Sequence, residues 1–358
     1  MRPRFLCIAW LTMLLMTLVS ACISPGADKQ AIHREIAYET YQYQDGHHID
    51  IIKLLDPETF ETSVLLEGEG LSGFRWSPRR DKILYRIWTG GKDDLHSLWI
   101  ADADGSNPRQ VTEVLPLGYG EWSFDGQMVA FCVVPDKYWP ETSSVVVLNL
   151  ATGESVELAR YPYHLCGWSP VDNRIAIIKG GDEGGLHVMK ADGSQDKWLR
   201  VNIAGTVDWS PDGRRIAFPT DAGVRFDMMW ISAVDIESGD VQDLTTSSDR
   251  YVRWHITDLA WSPDGRHILY VVDYTTTDGF SEENALYVLD INSGEEKRLA
   301  GHIAWASPVW SPDGKEIAFV SKMDDPEGQY GQIYKVSVET GQITQLTNNE
   351  EAKFWLLW

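Results

Sequence analysis

The chain has 358 residues with 53 acidic and 31 basic side chains, a net charge of −22, which makes nucleic acid an unsuitable partner. The same charge favours solubility and cationic partners or ions. By length alone the chain would hold several domains, and only an internal repeat argues for one.

The first stretch stands apart from the rest. Arg2 and Arg4 precede an apolar run from Phe5 to Leu18, followed by small residues. That is the pattern of a secretory signal, too short and too N-terminal for a permanent membrane span. The junction Val19-Ser20-Ala21-Cys22 resembles a bacterial lipobox, which implies cleavage before Cys22 and a lipid on the new N-terminal cysteine. The alternative is an ordinary signal peptide with an incidental Cys. The expected division is residues 1–21 as signal peptide, 22–33 as lipidated tether and 34–358 as one domain. The expected location is the cell envelope, outside the cytoplasmic membrane and tied to it by lipid. Ile23, rather than Asp, follows the cysteine, which resembles an outer-membrane sorting signal if the host is diderm.

The remainder is organised by one repeated hairpin. WSPDGRRIAF begins at Trp209, WSPDGRHILY at Trp261 and WSPDGKEIAF at Trp310, with weaker copies at Trp76, Trp122 and Trp168. Pro presets φ for the first turn position, Asp tolerates the second, and Gly takes the left-handed φ that closes a type I turn with a bulge. Strand formers flank the turn. Trp358 falls in phase with the other six tryptophans.

A second hairpin alternates with the first. Its copies are 48–66, 97–112, 145–158, 186–199, 229–244, 285–299 and 332–347, each with alternating apolar positions around a turn rich in Gly, Asp, Ser and Thr. Seven second hairpins stand against six complete first ones. Residues 35–44 read as a second strand lacking its Trp partner, and 354–358 as a first strand lacking its turn. Together they complete a seventh unit. The fold class expected is all-β: a β-propeller of seven four-stranded antiparallel blades, closed by the C-terminal strand joining the N-terminal blade. Six blades, with the N-terminal segment packed outside the ring, is the alternative.

These hairpins resemble the TolB-type, WD40-like propeller repeat (PD40), and the resemblance covers nearly the whole chain after the signal. It implies the fold strongly and the function weakly, since such propellers serve as binding scaffolds, as domains of prolyl-oligopeptidase-like peptidases and occasionally as carbohydrate lyases.

Two cysteines remain after the signal and Cys22. Cys132 closes one hairpin and Cys166 precedes the Trp of the next, so neighbouring repeats bring them within reach of a disulfide, or leave them as two buried thiols.

Turns within hairpins are short and share one face. The links between hairpins and blades share the other, and they are long and rich in Tyr, Trp, Arg and His. Loops on a rigid scaffold are where binding usually sits. The candidates on this face are Tyr138, Trp139, Tyr163, His164, Tyr251, Arg253, Trp254, His255 and Trp305. Some of these aromatics are equally suited to filling space between blades. His164, His255 and His302 precede first strands and are the weak metal candidates.

Three other motifs carry no chemistry. In Asp102–Asn107 the glycine is fourth where a calcium loop wants it sixth. The run 180–185 is Gly-rich without the Lys-Ser/Thr of a phosphate loop. No G-x-S-x-G elbow is present, and the chain stops where a hydrolase domain would begin. The function expected is non-catalytic: a monomeric, lipid-anchored propeller without cofactor that binds a protein, peptide or glycan. The alternatives are a metal-assisted carbohydrate lyase or hydrolase, and an accessory propeller for an envelope peptidase or trans-envelope complex.

Overall fold

The computed structural model describes residues 34–90, 95–112, 116–133, 144–160, 162–180, 184–221, 229–245, 254–275, 281–304, 307–324 and 330–358. The signal, Cys22 and the tether lie outside them. Among the described residues no helix is long and apolar enough to cross a membrane.

The strands form seven four-stranded antiparallel sheets. Blade 1 holds β1 (Ile36–Gln44), β2 (His47–Leu55) and β3 (Thr62–Gly68). Blade 2 holds β4 (Leu71–Trp76), β5 (Lys82–Gly90), β6 (Leu95–Asp102) and β7 (Arg109–Gln110). Blade 3 holds β8 (Pro116–Trp122), β9 (Met128–Val133), β10 (Ser144–Asn149) and β11 (Ser155–Arg160). Blade 4 holds β12 (Pro162–Trp168), β13 (Arg174–Lys179), β14 (Gly185–Lys190) and β15 (Lys197–Trp198). Blade 5 holds β16 (Asp208–Trp209), β17 (Arg215–Asp221), β18 (Met229–Asp235) and β19 (Val241–Asp243). Blade 6 holds β20 (Trp254–Trp261), β21 (His267–Thr275), β22 (Ser281–Asp290) and β23 (Glu296–Gly301). Blade 7 holds β24 (Val309–Trp310), β25 (Glu316–Ser321), β26 (Gln332–Ser337) and β27 (Ile343–Gln345). The last strand, β28 (Phe354–Leu357), pairs with β1 and becomes the inner strand of blade 1. The ring is therefore seven-bladed and clasped as the terminal half-units predict; the six-bladed alternative is overturned by the β28–β1 pairing.

The turn chemistry explains the WSPDG signature. Gly213 stands at φ 65° and donates its N–H to the Ser210 carbonyl at 2.8 Å. Ser210, 2% exposed, donates its hydroxyl to Asp212 at 2.6 Å and accepts the Arg215 N–H at 2.9 Å. Asp212 also accepts the Arg214 N–H at 3.1 Å. The serine thus satisfies two partners inside the hairpin, which sequence reading passed over. Ser262 and Ser311 repeat the arrangement.

The Ile-Ala-Phe strand divides its side chains between two interfaces, because successive residues point to opposite faces of a sheet. Ile317 and Phe319 pack towards blade 6, while Ala318 packs towards blade 1. Ile216 and Phe218 likewise face blade 4, and Ala217 faces blade 6. Ile216 and Phe218 thus meet Ala176, the middle residue of the corresponding strand in the blade before, whereas Ile317 and Phe319 meet Leu269 at that place. The seven hydrophobic clusters correspond to the seven blade junctions.

Four candidates expected in links lie in strands instead. Tyr163 and His164 are in β12, and Trp254 and His255 in β20. The two strands find ladder partners in their neighbours, which outweighs the polar and aromatic composition that suggested loops.

Candidate functional site

The inner strands surround the axial channel, and those of blades 2 to 6 touch in succession. Six end on the repeat Trp and β28 ends just before it, and the residue preceding that Trp faces the following blade. These seven are Arg75, Glu121, Gly167, Asp208, Ala260, Val309 and, in β28, Leu357; all are partly exposed. They divide by blade. Blades 2, 3 and 5 contribute Arg75, Glu121 and Asp208. Blades 6, 7 and 1 contribute Ala260, Val309 and Leu357. These inner-strand positions therefore split into an ionic run in blades 2, 3 and 5 and an apolar run in blades 6, 7 and 1, where Ala260, Val309 and Leu357 pack on the clusters between blades.

The ionic run is held in place by its neighbours. Arg75 Nε donates to Glu121 Oε1 at 3.1 Å, and its guanidinium lies 4.4 Å from the Trp355 ring centroid. In blade 4 Gly167 presents no side chain, and the charge of Glu121 reaches Asp208 in blade 5. Asp208 Oδ2 accepts the Trp261 backbone N–H at 2.7 Å. Burial pushes its pKa up to about 7; Glu121 acts in the same direction, and the N–H groups of Trp261 and Trp209 act against it. In blade 6, Asp258 accepts the Ser307 hydroxyl at 2.7 Å, and burial raises its carboxyl as well.

On the link face, Lys353 opens the closing strand. It is 5% exposed, and desolvation lowers its pKa to about 8. Its ammonium donates to Asn349 Oδ1 and the Glu351 carbonyl, each at 2.6 Å.

These groups bind charge and hold protons; they do not form a nucleophile–base pair. Among the described residues, no three His, Cys, Asp or Glu side chains converge to hold a metal ion. The histidines expected near the axis divide accordingly. His164 and His255 lie in the inner strands β12 and β20, with side chains outside the described ones. His302 is exposed in the blade 6–7 link at φ 51°.

The backbones of Tyr163 and Trp254 also lie in inner strands. Tyr138, Trp139, Tyr251, Arg253 and Trp305 lie outside the described residues. Cys132 is in β9, opposite Leu117 and Val145, and β9 packs beside β12, which carries Cys166.

Sequence reading missed Arg75, Glu121 and Asp208. The signal was present: across the copies, the position before Trp reads Arg, Glu, Gly, Asp, Ala and Val. A charged side chain in a strand where its neighbours are apolar marks a cavity rather than a core.

A family model described as the TolB beta propeller domain, PD40, matches residues 69–272, more than half of the chain. The uncharacterized peptidase YuxL of Bacillus subtilis is 29% identical over 115 residues, covering 30% of this chain. That match spans 16% of the peptidase's own length. The uncharacterized protein Atu1656 of Agrobacterium fabrum is 25% identical over 248 residues, 67% of each chain.

Among solved structures, the β-propeller domain of the Trilobed protease from Pyrococcus furiosus superposes with a TM-score of 0.63 at 15% identity, over 88% of this chain and 93% of that one. Oligogalacturonate lyase from Vibrio parahaemolyticus gives 0.62 at 18% identity, over 85% and 91%. TolB from Acinetobacter baumannii gives 0.51 at 18% identity, over 88% and 82%. At such identities the likeness concerns the fold alone.

Proposed function

The chain belongs to the TolB β-propeller domain family, and from that premise we propose that it is a non-catalytic binding propeller of the cell envelope, whose ligand is an extended polypeptide segment. The observation that carries this reading is the split of the inner-strand positions around the ring into an ionic and an apolar run. One run offers Arg75, Glu121 and Asp208 for backbone and side-chain hydrogen bonds. The other offers Ala260, Val309 and Leu357 for apolar side chains. A strand-like segment alternates the same two chemistries along its length. The clasped ring supports the reading by keeping both runs preorganised.

A lipid at Cys22 gives the face a direction. Trp358 Nε1 donates to the Arg34 carbonyl at 2.9 Å, so the chain enters the ring on the face of the short turns. The tether 23–33 reaches at most about 40 Å when extended. The turn face then looks toward the membrane and the link face looks away from it, open to partners.

The test is equilibrium binding of envelope-derived peptides to wild type and to the double variant Glu121→Gln, Asp208→Asn. The proposal expects the double variant to lose binding while remaining cooperatively folded at the temperature and pH of the assay. Equal binding by both proteins would remove it. A metal-assisted carbohydrate lyase is the second reading, favoured by the likeness to oligogalacturonate lyase and by the placement of His164 and His255 in inner strands. One equivalent of divalent metal retained after dialysis, and lost in His164→Ala or His255→Ala, would favour it instead.

A further inference from the structure

On the link face, blade 1 carries an exposed aromatic assembly that neither the sequence candidates nor the channel includes. Tyr41 lies between two rings. His48 stacks on it at 4.8 Å and 25°, and Phe354 at 6.1 Å and 17°. Tyr43 stands nearly perpendicular to both Tyr41 (5.9 Å, 81°) and His48 (5.4 Å, 84°). Tyr43 thus packs edge-to-face with both rings at the outer end of the stack. Tyr43 is 72% exposed and Phe354 44%.

The stack is fixed rather than loose. His48 Nε2 lies 2.8 Å from Asp50 Oδ1, and Asp50 Oδ2 accepts the Gly70 N–H at 2.9 Å. Tyr41 is hydrogen-bonded to Tyr330 of the blade 7 link. Phe354 begins the inner strand, beside the Trp355 that carries Arg75, so the assembly runs from the channel rim outward to the hairpin tip. The rim of the plate is acidic. Asp45 follows two residues after Tyr43 at the tip, and Asp50, which holds His48, is on the same sheet face as Tyr43.

We propose that the outer face of Tyr43 is a stacking plate for an arginine side chain of the bound polypeptide. A guanidinium stacks flat on an aromatic face while its edge N–H groups reach a carboxylate, and Asp45 stands at the hairpin tip two residues from Tyr43. The chain's charge of −22 complements a basic segment and disfavours an acidic one. Preordering by the Phe354–Tyr41–His48 stack lowers the conformational cost of binding. This inference rests on the reading of the link face as the binding face and names the chemistry of the ligand there.

The experiment uses the purified full chain and a nonapeptide of three Gly-Arg-Gly repeats, with a citrulline counterpart and chitotetraose as comparison probes. The expected result is that the arginine peptide binds wild type and Tyr43→Phe alike. Tyr43→Ala should weaken it roughly threefold or more, and the citrulline peptide should show no dependence on Tyr43. Equal binding of the arginine peptide by wild type and Tyr43→Ala overturns the proposal, as does Tyr43-dependent binding of chitotetraose in its place. The channel variant Glu121→Gln, Asp208→Asn separates the two readings. If it alone loses envelope peptides, the plate fails and the channel stands; if Tyr43→Ala alone loses them, the reverse holds.

Discussion

Trp261 donates its backbone N–H to the Asp208 carboxylate of the preceding blade at 2.7 Å, while its indole Nε1 has no hydrogen-bond partner among the described residues. Four other junctions are built the opposite way. The indoles of Trp122, Trp168, Trp209 and Trp310 donate to the carbonyls of Arg75, Glu121, Gly167 and Ala260, at 3.3, 3.0, 3.4 and 3.2 Å. Each bond crosses from one blade to the residue preceding the repeat Trp in the blade before it. At the blade 5–6 junction a carboxylate replaces that clasp.

The two kinds of junction should respond differently to the same substitution. Trp168→Phe removes a buried bond and leaves the Glu121 carbonyl short of a donor; Trp261→Phe removes none. Both lose similar volume. Urea unfolding should find Trp168→Phe more destabilised by about 1 kcal/mol. Equal losses would mean that the indole bonds contribute nothing to closure.

Asp208 predicts a pH effect. Its folded pKa, about 7, lies above the ordinary aspartate value of about 3.9, so the folded state binds this proton more tightly than the unfolded one. The resulting stability is fully present below about pH 4 and is lost as pH rises through about 7. Glu39 adds to the same window, since burial raises it to about 7 although it accepts the Gly73 and Phe74 N–H groups. Asp208→Asn should flatten the fall in unfolding midpoint between pH 5 and 7. An unchanged slope would assign the effect to other carboxyls.

The closing strand should be the point of greatest sensitivity. Leu356 is 2% exposed and packs with Ile36, Tyr38 and the blade 7 residues Ala318 and Val320. Leu356→Ala should cost about 2–5 kcal/mol through lost burial and a cavity. An outward change in the same strand, Phe354→Ala, should cost far less, because that side chain is 44% exposed. Thermal unfolding of the two variants compares them directly.

The turn serine offers a coupling measurement. Ser262 donates to Asp264 at 2.7 Å and accepts the His267 N–H at 2.9 Å, while Asp264 accepts the Arg266 N–H at 3.0 Å. Ser262→Ala leaves a buried N–H without its acceptor and should cost about 1–3 kcal/mol. A double-mutant cycle with Asp264→Ala should show non-additivity of about 0.5 kcal/mol or more. Strict additivity would mean that the two side chains stabilise the turn separately.

Much of the architecture could be read from residue order. The tryptophan hairpins mark six inner strands, and residues 35–44 and 354–358 supply the missing seventh unit. The β28–β1 register of Ala37 with Leu357 is the pairing those two half-units require. The site was less legible. The link-face candidates were chosen by composition, and Tyr43 and Phe354 were passed over because each sits inside a strand rather than a loop.

The sequence by itself determined the repeat, the turn type and the alternation that divides Ile-Ala-Phe between two faces. Those features follow from local rules: a period, a left-handed glycine and alternation along a strand. The β28–β1 pairing decided seven blades over six. Only the tertiary structure decided which inner-strand side chains meet across blades. Arg75, Glu121 and Asp208 are separated by 46 and 87 positions in the chain, and their grouping depends on how the ring closes. It also decided that Tyr41 stacks with Phe354, more than 300 positions away, because the clasp carries the last strand to the first. Local propensity sets each hairpin, whereas proximity between blades is a property of the closed ring.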